Sequence, residues 1–132
     1  MGEYTLFFDG CSKCNPGKAG AGSVIYLNDI EIKCNTLFVG NVATNNEAEY
    51  SGLIIGLEDA VNIGIKTLIV KGDSLLVIRQ MKGEYKVKSS KLKELYNKAK
   101  NLTSNFDKIT FEHVYRENNK RADELSNIAL TI

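Results

Sequence analysis

Apolar positions along the chain recur with two different periods, and the changes between them mark out the elements. Residues 4–8 (Tyr-Thr-Leu-Phe-Phe) form a short aromatic and β-branched run, which predicts a strand. It stops at Asp9-Gly10, and the polar, glycine-containing stretch that follows predicts a loop to about Gly20. Residues 21–27 and 31–39 predict two further strands, with Asn28-Asp29 as a compact hairpin connection. The beginning of the chain therefore reads as an antiparallel three-stranded meander.

From Thr44 onward the period becomes helical. Thr44-Asn45-Asn46 offers N-cap residues, and Glu47 stands three beyond Thr44 as a capping box requires. Leu53, Gly56, Leu57 and Ala60 then recur at helical spacing to about Asn62, and Gly64 ends the helix. Residues 67–70 are near-continuously apolar, as in a strand buried on both faces. Gly72-Asp73-Ser74 turns into a helix over 75–81. A second helix, about 89–102, carries Leu92, Leu95, Tyr96, Ala99 and Leu102 on one face and lysines on the others. Residues 109–115 predict the last strand, and 119–130 a closing helix with Leu125, Ile128 and Ala129 inward. The order βββαβααβα predicts an α/β fold with a mixed sheet flanked by helices.

Composition adds bounds. The 132 residues suit one domain spanning 1–132, and 43% hydrophobic with 25% charged residues is ordinary globular usage. Disordered, collagen-like and disulfide-scaffold classes are excluded. No apolar run reaches the roughly 18–20 residues of a membrane span, and Met1-Gly2-Glu3-Tyr4 lacks a basic region leading into an apolar one. The expectation is a cytoplasmic protein. Cys11 and Cys14 are spaced as C-x-x-C, but only Cys34 and His113 remain as distant partners for zinc, and Asn15-Pro16-Gly17 is a turn rather than a helix start. Two reduced thiols in a loop are expected, with Cys34 packed in its strand. Gly17-Lys18-Ala19-Gly20-Ala21-Gly22 lacks P-loop spacing and leads into a strand, so it is not a nucleotide loop.

Charge is unevenly placed. The formal net charge is +1, yet residues 71–100 carry nine cations against three anions, a net +6, leaving −5 for the rest. Such an asymmetry bears on partners.

Four carboxylates stand out by position. Asp9 follows one apolar strand and Asp73 another, and in open α/β sheets ligands gather at the carboxyl ends of strands. If the two strands are parallel neighbours, these acids meet. Glu49 lies on the sheet-facing stripe of its helix, where a carboxylate is costly unless it is paired or ligates a cation. Asp123 sits in the first turn of the last helix, where dipole stabilisation alone would explain it. Converging, the four would repel unless Mg²⁺ or Mn²⁺ neutralised them. Two such ions roughly 3.5–4 Å apart would suit phosphoryl transfer.

The motifs at these positions resemble a known family. Asp9-Gly10-Cys11-Ser12-Lys13-Cys14-Asn15-Pro16-Gly17 resembles the D-G-x-S-x-x-N-P-G opening of type 1 ribonucleases H, and Thr44-Asn45-Asn46-Glu47-Ala48-Glu49 resembles their T-N-N-x-x-E segment. Gly72-Asp73-Ser74 is similar to the third acidic motif, and Asn119-Lys120-Arg121-Ala122-Asp123-Glu124-Leu125 to N-x-x-A-D-x-L. All four stand in the family's order and span nearly the whole chain.

The resemblance implies a ribonuclease H fold with three antiparallel strands, then two parallel ones, in a five-stranded mixed sheet. It also implies Mg²⁺-dependent, two-ion hydrolysis of the RNA strand of RNA–DNA hybrids, leaving 5′-phosphate and 3′-hydroxyl ends, by a monomer with no organic cofactor. Asp9 would bridge both ions, Asp123 would complete the one activating water, and Glu49 with Asp73 would hold the one beside the leaving oxygen. Glu49, Cys11, Ser12 and Lys13 would sense the ribose 2′-hydroxyl, Asn15, Asn45 and Asn46 would bond minor-groove edges, and Thr44 would meet a DNA phosphate.

The family's loop histidine is missing from Val114-Tyr115-Arg116-Glu117-Asn118, where Arg116 or Glu117 could take its role; His113 reads as a packed or edge residue. The short link from Met81 to Ser89 implies a compact form without a basic protrusion, and no hybrid-binding domain is expected. Lys86 and Lys88, with Lys82 and Lys91, are then the expected phosphate contacts. A non-catalytic hybrid- or RNA-binding module on the same fold is the alternative, against which the presence of all four acids argues.

Overall fold

The computed structural model describes residues 2–131. Its elements run β1 (Tyr4–Ser12), β2 (Gly17–Leu27), β3 (Ile30–Ala43), α1 (Asn45–Ile63), β4 (Thr67–Gly72), α2 (Leu75–Met81), α3 (Ser90–Thr103), β5 (Lys108–His113) and α4 (Lys120–Ile128), with 3-10 turns over Arg116–Asn118 and Ala129–Thr131. The strands form one sheet in the order β3-β2-β1-β4-β5. The first three pair antiparallel, and β4 and β5 join parallel to β1. This is the mixed sheet expected from the element order.

Local chemistry explains the best-defined elements. Asn28 (φ 50°) and Asp29 (φ 71°) both take left-handed backbone, which a two-residue hairpin turn needs and which Asn and Asp tolerate better than most residues. At the start of α1 the Thr44 hydroxyl accepts from the Glu47 N–H (3.1 Å), while the Glu47 carboxylate accepts from the Thr44 N–H (3.1 Å), the reciprocal pairing of a capping box. Gly64 (φ 93°) closes the helix, its N–H donating back to the carbonyls of Ala60 and Val61.

The main core lies between the sheet and α1–α3. Leu6, Phe8, Ile25, Leu68 and Val70 pack there against Tyr50, Leu53, Leu57, Val77, Ile78 and Ala99. Side chains alternate across a strand, so neighbours on β2 report the two faces. Ser23 looks toward Gly56 of α1, whereas a Cβ on Gly22 would come within 2.6–2.7 Å of Leu125 and Ser126 of α4. The last helix therefore covers the opposite face, over β1 and β2.

Several elements differ from expectation. β1 does not stop at Asp9-Gly10 but runs on to Ser12, and β2 begins at Gly17, because Cys11 and Ser12 find rung partners in Gly20 and Ala19. The expected loop is mostly a continued hairpin. Cys34 is exposed rather than packed, since β3 is an edge strand with few side chains covered. Ile128 is 43% exposed; α4 passes there into a 3-10 turn, and Ala129 takes the inward position. His113, by contrast, takes the edge alternative of its expectation, exposed at the end of edge strand β5 with its ring edge-on to Tyr115.

Candidate active site

The site forms where β4 leaves β1. The last rung between the two strands pairs Phe8 with Gly72, so Asp9 and Asp73 are each the next residue beyond it. Parallel pairing alone brings these two carboxylates together. Glu49 arrives from α1, which lies directly on β1 because Gly10 has no side chain; a Cβ there would overlap the backbone of Ala48 and Glu49. One carboxylate oxygen from each of Asp9, Glu49 and Asp73 lies within 4.8 Å of the others.

Burial makes this convergence expensive. Asp9 is 5% and Glu49 8% exposed. Burial first, then the charges of Asp73 and Asp123, pushes the Asp9 carboxyl up to about 7, against hydrogen bonds with Glu49 and from the Gly10 N–H. The Gly10 bond is 2.8 Å long. Glu49 is raised well above the usual carboxylate range, by burial and then by the charge and hydrogen bond of Asp9. Its Oε2 is buried and has no hydrogen-bond partner among the described residues. Three close carboxylates, one with an unsatisfied buried oxygen, form a hard, all-oxygen donor set of the kind that Mg²⁺ or Mn²⁺ takes. The residues present fit such a cation.

Asp123 stands beside this group rather than within its tightest part. It occupies the first turn of α4, half-buried, and its Oδ1 accepts from Asn127 Nδ2 at 3.3 Å. Its charge still reaches Asp9. The closeness of α4 to the sheet depends on Gly22, the rung partner of Asp9. A second tether was not read from the sequence as functional. Asn119 is 2% exposed, its Nδ2 donates to the Phe8 carbonyl (3.0 Å), and its Oδ1 has no partner among the described residues. It fastens the start of α4 to the residue before Asp9. An asparagine just ahead of a helix suggests an N-cap, but Asn119 makes no side-chain cap bond.

The polar residues around the acids are knit together. The Ser12 N–H donates to Asn45 Oδ1 (2.8 Å), and the Ser12 hydroxyl to the Ala43 carbonyl (2.6 Å). The Asn45 N–H donates to Asn15 Oδ1 (2.9 Å), so both asparagines keep their amide NH₂ groups for other partners. Thr44 and Asn46 flank Asn45 at the same helix start. Lys13 is exposed and closes the turn by donating its N–H to the Lys18 carbonyl (2.8 Å). Cys11 is half-buried, its thiol 3.7 Å from the Ser126 carbonyl. Lys86 and Lys88 are exposed on the link between α2 and α3, bordering a groove of about 550 Å³ with Leu76, Gln80 and Leu92. Arg116 is exposed on the 3-10 turn before α4.

A five-stranded sheet in this order, with acids meeting where β1 and β4 part, defines a ribonuclease H-like domain. Residues 7–129 match the family model described as reverse transcriptase-like, and the chain belongs to that family. It is 45% identical over 123 residues (92% of this chain, 34% of the relative) to a bifunctional protein of Mycobacterium tuberculosis. The solved N-terminal RNase H domain of that protein superimposes with a TM-score of 0.94 at 41% identity, covering 99% of this chain and 95% of that one. Ribonuclease HI of Halobacterium salinarum is 38% identical over 98% of this chain and 65% of its own length, and the solved halobacterial ribonuclease H1 gives a TM-score of 0.93 at 37% identity, covering 98% of both chains. The LC11 ribonuclease H1, solved in complex with an RNA/DNA hybrid, gives 0.91 at 36% identity, covering 98% of this chain and 97% of that one. The chain thus spans about a third of the mycobacterial relative and two thirds of the halobacterial one.

Proposed function

We propose that the protein is a ribonuclease H, hydrolysing the RNA strand of RNA–DNA hybrids to 5′-phosphate and 3′-hydroxyl ends. The convergence of Asp9, Glu49 and Asp73 around an unpartnered Glu49 oxygen carries this reading. Its substrate class is supported by the relatives named above.

Asp9, Glu49 and Asp73 would hold two divalent cations, Mg²⁺ or Mn²⁺, and Asp123 would complete the set from the first turn of α4. When bound, the cations supply charge neutralisation at the scissile phosphate and an activated water. Burial and mutual repulsion raise the proton affinity of Asp9 and Glu49, so a bound cation would compete with protons for the same oxygens. The burial that makes the acids costly also sets a low-dielectric wall around the reacting phosphate, where fixed charges act strongly. Asn15, Asn45 and Asn46 direct amide groups to minor-groove edges beside the scissile bond. Ser12, whose hydroxyl is engaged with Ala43, orders the strand end that carries Cys11 and the turn that carries Lys13 toward the ribose. Thr44, Lys86 and Lys88 take phosphates, and Arg116 stands on the turn where product would leave.

The deciding experiment offers the protein a labelled RNA–DNA hybrid with Mg²⁺ and analyses the product ends. RNA-strand cleavage with 5′-phosphates, absent in EDTA and absent on double-stranded DNA, is expected. Intact RNA with hybrid binding preserved would replace the enzyme by a binding module.

A further inference from the structure

The segment carrying Lys86 and Lys88 has almost no structure of its own. Residues 86–88 lie between α2 and α3 with their two lysines exposed. The preceding residues are fastened to α2: the N–H groups of Gly83, Glu84 and Tyr85 donate to the carbonyls of Gln80 and Arg79 (2.9–3.3 Å). After Tyr85 this fastening stops. Among the described residues, the backbone of 86–88 makes one hydrogen bond, from Gln80 Nε2 to the Lys86 carbonyl (3.4 Å).

Gln80 is itself unusual. It is 4% exposed, one of the few buried polar side chains. Its Oε1 accepts a 2.6 Å hydrogen bond from the Tyr50 hydroxyl, and Tyr50 is wholly buried. Tyr50 is the residue after Glu49 on α1. The two bonds fix Gln80 in one orientation, its Oε1 accepting from Tyr50 and its Nε2 donating to Lys86. A core packed only for stability would have put an apolar side chain here, since a buried amide must find partners for both ends.

We infer that Gln80 is a positioning residue that holds the Lys86–Lys88 segment in a fixed relation to the acidic site, through Tyr50 on the helix that carries Glu49. The inference rests on the ribonuclease H reading above. The distance between the phosphate-binding lysines and the acids is then set by one buried and one part-buried hydrogen bond, and the hybrid meets a preorganised cation pair rather than a wandering one. Preorganisation lowers the ordering cost of binding without touching the reaction.

The test uses Gln80→Leu and Gln80→Glu in the full chain. Leu removes both bonds; Glu, assayed at alkaline pH where its buried carboxyl ionises, keeps an acceptor for Tyr50 but has no donor for Lys86, so it isolates the tether even if Leu does not fold. Expected is a KM for hybrid raised about fivefold or more, with kcat within about twofold. The slope of log KM against log salt should lose about one unit, the share of one phosphate contact. Backbone order parameters at residues 86–88 should fall from the rigid range toward about 0.6. A folded Gln80→Glu protein with unchanged KM, unchanged salt slope and unchanged order parameters overturns the inference, as does a loss confined to kcat. Wild-type protein that neither binds nor cleaves hybrid would sink the nuclease reading instead, and the order parameters would then decide the tether alone.

Discussion

Replacing Asp9 by Asn probes the acidic cluster through stability as well as chemistry. In metal-free protein the Asp9 carboxyl is pushed from an ordinary 3.8 up to about 7 by burial and by the neighbouring acids. A carboxyl with a raised folded-state value keeps a proton that the unfolded chain has released, so stability falls as pH rises between about 4 and 7. At about 1.4 kcal/mol per unit the whole shift corresponds to about 4 kcal/mol, an upper bound because Glu49 shares the same proton. Asn keeps the acceptor for the Gly10 N–H but cannot ionise. The variant should therefore match wild type near pH 4 and exceed it by about 2–4 kcal/mol at pH 8. Urea denaturation in EDTA reads this as a midpoint shift of about 1–2 M, with an m-value near 2 kcal/mol/M. Added Mg²⁺ should stabilise wild type by about 2.7 kcal/mol at a hundredfold excess over Kd, and Asn far less. Hybrid cleavage by the variant should drop at least about a thousandfold. An equal stability gain at pH 4 and pH 8, or none at pH 8, would refute the electrostatic account of the cluster.

Other consequences are as direct. Gly22→Ala places a methyl 2.6 Å from Leu125 Cβ and 2.7 Å from the Ala122 carbonyl, and should cost about 1–3 kcal/mol in a thermal melt while lowering kcat, because Asp123 rides on the displaced helix. Thr44→Ala removes the cap of α1 and should cost about 1 kcal/mol by chemical denaturation; its KM for hybrid should also rise if Thr44 meets a phosphate. Lys86→Ala combined with Lys88→Ala should raise KM and reduce the salt slope by about two, and a KM independent of salt in wild type would place the hybrid on another surface.

The elements that sequence revealed are those whose reasons are local. The capping box of Thr44 and Glu47, the Asn28-Asp29 turn and the Gly64 stop each depend on residues a few positions apart, and each stands where its spacing puts it. The four acids could be picked out because a carboxylate on an apolar stripe or at a strand end is costly unless it has work to do. Their grouping could not be derived this way. Residues 10–12 contain Gly and Ser and read as a loop, yet they are strand, because β2 supplies their rung partners from across the hairpin. Cys34 and Ile128 sit at inward periods but remain uncovered, since a strand at the sheet edge and a helix at its last turn have nothing above them.

The tethers were hidden for the same reason. Asn119 bonds the Phe8 carbonyl across 111 positions, and Gln80 joins Tyr50 to Lys86 through a core no local pattern describes. Sequence alone determined which residues could bear chemistry and which strands and helices would present them, because propensity, capping and amphipathic period act over a few residues. Only the tertiary structure decided that β4 lies beside β1, that it parts from it after Gly72, and that glycines at 10 and 22 let two helices close on the gap. Those outcomes depend on long-range pairing and close approach, and they turn scattered carboxylates into one site.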